Sequence, residues 1–176
     1  MRTHGKSKRR TWRKIHIAVD REKKTIAACE ITDATVADCT AVNDLIKGLD
    51  NMKTLTGDGA YDSTAVRNSV KAKGAVPIIP PDENAVISSA NHSERNNAVQ
   101  FIKDNGDNEA ARKLWKKTSN YYLRNGVENT FFRYKTIFGE KLKSRSFNNQ
   151  EIEGLMRSHL LNKMTQLGMP ISVPSI

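Results

Sequence analysis

The hydrophobic pattern of this chain changes period several times in its first eighty residues, and that switching constrains the fold more than any other feature. Ile15, Ile17 and Val19 alternate with their neighbours from Trp12 to Asp20, and Thr25 to Thr32 is rich in apolar and branched residues. The polar run Arg21-Glu22-Lys23-Lys24 separates the two segments, so they are predicted to form an antiparallel hairpin. Asp38 to Lys47 then sets Val42, Leu45 and Ile46 at helical spacing ahead of Gly48, which predicts a short helix. Lys53 to Gly57 reads as a brief strand. Thr64 to Lys73 reads as a helix closed by Gly74, with Asp62 or Ser63 as its cap, and Ala75 to Ile79 as a strand ended by Pro80-Pro81. The order is ββαβαβ, and strands alternating with helices indicate an α/β fold.

Beyond Pro81 the composition turns polar. Residues 82–118 form an insert with two predicted helices, Glu94 to Lys103 and Asn108 to Lys117, to which no chemistry is assigned. The stretch from Tyr121 to Phe138 reads as mostly helical. Asn148 to Leu167 places Ile152, Leu155, Met156, Leu160, Met164 and Leu167 at helical spacing, predicting a packing helix over 148–168, with Gly168 and Pro170 ending it. At 176 residues the chain has the size of one domain. A basic arm over residues 1–14 precedes the body over residues 15–176.

Charge narrows the function. Lysine and arginine number 29 against 19 acidic residues, a formal charge of +10, which favours a polyanionic partner. Arg2, Lys6, Lys8, Arg9, Arg10, Arg13 and Lys14 stand together with no acidic residue between them, a density suited to phosphate contact and equally compatible with a disordered tail. A second basic stretch, Arg112 to Arg145, is interleaved with Trp115, Tyr121, Tyr122, Phe131 and Phe132, as on DNA-facing surfaces. DNA is therefore the expected partner. The two cysteines, Cys29 and Cys39, form no C-x-x-C, and no histidine pair has ligand spacing, so neither zinc nor a disulfide framework is supported. No apolar run is long enough to span a bilayer and no secretory signal is visible, so no membrane association is expected and the expected location is the cytoplasm.

Two places could carry chemistry. Asp58 follows a short predicted strand and is flanked by Gly57 and Gly59, where a sharp turn could hold its carboxylate at a sheet edge; an ordinary turn aspartate has the same sequence. Tyr121, Arg124, Glu128 and Lys135 are spaced so that one continuous helix would set them within an arc of roughly 60°. Against this, Asn125-Gly126-Val127-Glu128 also reads as a capping box, with Glu128 supporting a helix that begins at Asn125, and Arg124 with Glu128 as an ordinary i,i+4 ion pair.

Tyr121-x-x-Arg124-x-x-x-Glu128-x-x-x-x-x-x-Lys135 resembles the Y-R-E-K signature of bacterial insertion-sequence DDE transposases, in the class numbered four and five. Thr56-Gly57-Asp58-Gly59-Ala60-Tyr61-Asp62 resembles the segment with that family's second catalytic aspartate. Arg10-x-Trp12-Arg13-Lys14-Ile15-His16-Ile17-Ala18-Val19-Asp20 is similar to the strand after its first aspartate, and Leu161-Asn162-Lys163-Met164 to Pro170 to its closing helix. The resemblance implies an RNase H-like mixed sheet with flanking helices, in which three carboxylates gather around magnesium or manganese ions for in-line phosphoryl transfer on DNA. It makes Asp58 and Glu128 catalytic, metal-binding carboxylates and gives Tyr121, Arg124 and Lys135 to DNA phosphates, with Lys8, Arg9, Arg10 and Arg13 as further DNA contacts.

The first aspartate of the family lies on a strand upstream of the His4-Gly5 and Trp12 region. That strand is expected to be missing here, leaving a fold truncated at its amino terminus without its central strand, and two unpaired sheet edges. Asp20, Asp33, Asp38 and Asp62 read as hairpin, turn or capping residues rather than substitutes. The expectation is a marginally folded chain, inactive unless an upstream polypeptide supplies the missing piece, and oligomeric in the intact enzyme. A non-catalytic basic nucleic-acid-binding module and an RNase H-type nuclease are the alternatives, the latter needing a third carboxylate.

Overall fold

A computed structural model describes residues 12–89 and 92–168. Two strands open the fold, β1 (Arg13–Asp20) and β2 (Thr25–Asp33), followed by α1 (Asp38–Lys47), β3 (Thr54–Thr56), α2 (Thr64–Ala72) and β4 (Val76–Ile78). Four helices complete it: α3 (Ser93–Asp104), α4 (Glu109–Thr118), α5 (Asn125–Phe138) and α6 (Phe147–Gln166). This is a mixed α/β fold, with the element order the hydrophobic periodicity predicts.

β1 and β2 pair antiparallel, and the register slips between Ala18 and Val19, where Ala18 faces Ala28 but Val19 faces Ile26. Ala27 is thus the extra residue of a bulge, which turns Ile26 onto the face that also carries Cys29. That face packs against α5 and α6, where Ile17, Ile26, Tyr134 and Leu161 form a buried cluster. Asn162 of α6 secures the bulge: its Oδ1 accepts from the Ile26 amide and its Nδ2 donates to the Ile26 carbonyl, both at 2.7 Å.

β3 and β4 pair parallel, as a short crossover through α2 requires. Val42, Ile46, Val66, Val70, Ala75 and Ile79 pack α1 and α2 over this pair. Among the described residues the strands form two separate two-stranded sheets, β1-β2 and β3-β4, rather than one mixed sheet. β1 and β3 therefore each have a hydrogen-bonded neighbour on one side only. No described helix is long and apolar enough to cross a membrane.

The α6 helix packs as expected, but through a different face. Gln150, Gly154, Arg157, Ser158 and Leu161 are its buried residues, whereas Ile152, Leu155, Met156, Leu160, Met164 and Leu167 are all exposed. Gln150 and Arg157 on the buried face bond to the loop that precedes α6, whereas the Ser158 hydroxyl is buried without a hydrogen-bond partner among the described residues. Glu153 accepts from the amides of Lys143 and Ser144, and Arg157 donates to the carbonyls of Gly139 and Lys141 and pairs with Glu153. Burial works against the Glu153 carboxylate, but these amides and the Arg157 guanidinium outweigh it and hold it down at about 2.

Candidate active site

Asp58 follows β3 and caps a single 3-10 turn, Gly59–Tyr61, accepting from the Ala60 amide through Oδ1 at 3.0 Å. Gly57 extends the β3 ladder by donating to the Ile78 carbonyl at 3.2 Å, so the carboxylate emerges where the parallel pair ends. Ligand groups commonly sit at that end of a parallel sheet. Neither Gly57 nor Gly59 has a positive φ. The lack of a side chain at Gly57 instead makes room for the Tyr61 ring, whose Cδ2 would lie 3.2 Å from an added Cβ. Burial, with the carboxylates of Asp38 and Asp58 next in weight, pushes the Tyr61 phenol up to about 12.

The second carboxylate arrives on α5. The chain turns at Asn120 with φ of 59°, makes a 3-10 turn over Tyr121–Arg124, and continues directly into the α-helix at Asn125. Asn125 itself has helical dihedrals (φ −54°, ψ −25°) and lies inside the helix, so the capping box is not formed and Glu128 is not a capping residue. The one-stripe arrangement is modified as well, because a 3-10 turn winds three residues per turn rather than 3.6.

Arg124 joins the two acidic groups. Its Nη2 donates to Asp58 Oδ2 at 3.1 Å and its Nη1 to Glu128 Oε1 at 2.8 Å. Side chains seventy positions apart in sequence thus share one cation. The site is open to solvent: the side chains of Asp58, Glu128 and Arg124 are 39%, 61% and 26% exposed. Ion pairs this exposed contribute little to stability, so the guanidinium is readily exchanged for another partner.

Tyr121 borders the same cluster, its ring tilted at 39° to that of Trp115 with a centroid separation of 6.2 Å and lying under Lys116 Nζ at 5.6 Å. Burial raises its phenol, helped by the carboxylates of Asp58 and Glu128 and opposed by Arg124, so it remains a hydrogen-bond donor at neutral pH. Lys135 stands two turns beyond Glu128, and its Nζ lies 3.4 Å from Glu140 Oε1. Arg13 is taken up elsewhere, bonded to Asp33 and to Gln150 and lying over the Phe147 ring. Lys8, Arg9 and Arg10 lie outside the described residues.

The other aspartates divide. Asp20 accepts from the Glu22 and Lys23 amides in the hairpin turn, Asp33 accepts from Thr35, and Asp38 opens α1 paired with Lys14. Asp62 does more than end a turn, because it is buried between Arg67 and Arg95. Among the described residues no group of three or more His, Cys, Asp or Glu side chains could hold a metal ion. The oxygen donors of Asp58 and Glu128 are of the kind hard divalent cations prefer, and the two groups already converge on a cation.

A family model described as "Transposase DDE domain" matches residues 1–163. No solved structure matches the chain.

Proposed function

The chain belongs to the transposase DDE-domain family, and from that premise we propose that Asp58 and Glu128 are two of the carboxylates of a metal-dependent centre for DNA cleavage and strand transfer. Membership implies DNA transposition, with DNA as the partner. The observation that carries the assignment is the Arg124 fork, which holds both carboxylates on one cation.

Magnesium or manganese would be held by Asp58 and Glu128 together with a third ligand from outside the described residues. When bound, such an ion activates water or a 3′-hydroxyl and stabilises the departing oxygen. Arg124 serves two partners: in the free protein it neutralises the carboxylates, and its planar fork matches a phosphate when DNA is present. The Tyr121 phenol, protonated at neutral pH, donates to phosphate oxygen, and Lys135 acts as a point charge further along α5. These assignments follow the Y-R-E-K spacing of the insertion-sequence enzymes of the class numbered four and five.

The third carboxylate fits on an extended strand seated between β1 and β3. Such a strand would satisfy both open edges and join the two half-sheets into the mixed sheet of an RNase H-like fold. Cleavage is therefore measured with that strand present, supplied in trans where it is needed. In protein complemented in this way, Asp58→Asn and Glu128→Gln each abolish magnesium-dependent strand cleavage while sparing DNA binding. Undiminished cleavage in either variant removes that residue from the centre, and DNA binding with no cleavage under any complementation favours a binding module.

A further inference from the structure

Four residues after Asp58 the chain buries a second carboxylate. The Asp62 side chain is 0% exposed, and its Oδ1 accepts from Arg67 Nε at 3.1 Å and Arg67 Nη2 at 2.8 Å. Arg95 Nε lies 3.2 Å from Oδ1 and 3.0 Å from Oδ2. Arg67, 1% exposed, also donates through Nη2 to the Ile79 carbonyl at 3.1 Å, and Arg95 Nη1 to the Val86 carbonyl at 3.3 Å. One carboxylate therefore ties together the end of the 3-10 turn, helix α2, the residue after β4 and helix α3 of the polar insert.

Apolar side chains could hold α2 against β4 without removing the Asp62 and Arg67 charges from water, so simple adhesion does not account for this arrangement. Directional bonds do something apolar packing does not: they fix where a backbone segment lies. The fixed segment here is short. Asp58 holds the front of the turn through Oδ1, and at its rear the Asp62 amide donates to the Gly59 carbonyl at 2.9 Å. Only the 3-10 turn separates the buried anchor from the carboxylate that meets Arg124.

We propose that Asp62, Arg67 and Arg95 are positioning residues for Asp58, and that Arg95 makes the polar insert a structural part of the catalytic site. None of the three touches substrate; they set the backbone from which the Asp58 carboxylate projects. The inference rests on Asp58 being a metal ligand, and its test separates the two claims.

Lys71 and Glu94 supply the control, because their ion pair at 2.8 Å also joins α2 to α3 but does not reach the turn. Manganese binding to the full chain is measured by water-proton relaxation, and melting temperature by circular dichroism, for wild type, Asp58→Asn, Arg95→Gln, Arg95→Lys and Lys71→Gln. Arg95→Gln weakens manganese binding roughly tenfold, the scale at which outer-shell partners act. Arg95→Lys recovers part of the loss, and Lys71→Gln, which removes only a partly exposed ion pair, binds manganese as wild type and melts close to it. Wild-type affinity in Arg95→Gln, or an equal loss in Lys71→Gln, overturns the positioning role. If Asp58→Asn leaves manganese binding unchanged, the ligand assignment itself fails and the positioning role falls with it.

Discussion

Asp58 divides its two oxygens between two tasks. Oδ1 is committed to the Ala60 amide and so to the shape of the turn, while Oδ2 faces Arg124. The turn aspartate and the site aspartate, alternatives in the sequence, are not exclusive, since a carboxylate has acceptor capacity for both the Ala60 amide and a second partner. Arg124 is the companion of Asp58, bonded to both carboxylates. Replacing it with glutamine should leave manganese binding at least as strong, because a competing cation is removed, yet lower DNA cleavage in the complemented protein about a hundredfold. Lysine should restore little, since a point charge cannot reproduce the fork. Full cleavage by Arg124→Gln would show that the guanidinium acts only as a resting counter-charge. The Arg124–Glu128 pair was legible because its spacing is local, whereas the meeting of Arg124 with Asp58 was expected only through the family resemblance. Arg67 and Arg95 were not, because their meeting at Asp62 depends on how α2, β4 and α3 pack, and no local pattern encodes that.

Elements were readable where periodicity was strong and bounded by turn residues, as in the hairpin, α1, α2 and both insert helices. The exception is the face of α6. Apolar and polar residues are spread around the whole circumference of this helix, so spacing alone could not tell which side was buried, and the side with larger apolar side chains was the wrong choice. The buried side is set by close approach. A Cβ at Gly154 would lie 2.6 Å from Ile31 Cδ1 and 2.8 Å from Cγ1, so only glycine lets α6 rest on β2 at this distance. Gly154→Ala is expected to cost about 1–3 kcal/mol in urea unfolding, the range for overpacking a filled core. Combined with Ile31→Ala it should cost less than the sum of the single changes, because the clash is removed. Strict additivity would mean that the two residues do not press on one another. The junction of the 3-10 turn with α5 was similarly hidden, since a change of winding within a helical stretch leaves the residue pattern almost untouched.

At the scale of the molecule, the described residues hold three hydrophobic clusters rather than one. The first lies over β3 and β4, the second between the hairpin and α5 with α6, and the third in the insert around Ala98, Ile102, Ala111 and Trp115. Polar contacts join them at the site: Arg124 links α5 to the end of β3, and Asp62 links that end to the insert. The candidate centre therefore sits where independently packed parts meet, which is where ligands commonly bind. That the strands fall into two separate pairs was expected only through the family resemblance; residue patterns alone do not encode it, because strand pairing is a property of the assembled chain. Whether two carboxylates far apart in sequence face one divalent ion is tested, without requiring activity, by iron-directed cleavage. With ferrous iron replacing magnesium, ascorbate and peroxide cut the backbone beside the bound metal. Cuts are expected near Asp58 and near Glu128 in the same protein, with both sets lost in Asp58→Asn. Cuts at one segment alone, or cuts that survive that substitution, would contradict a shared ion.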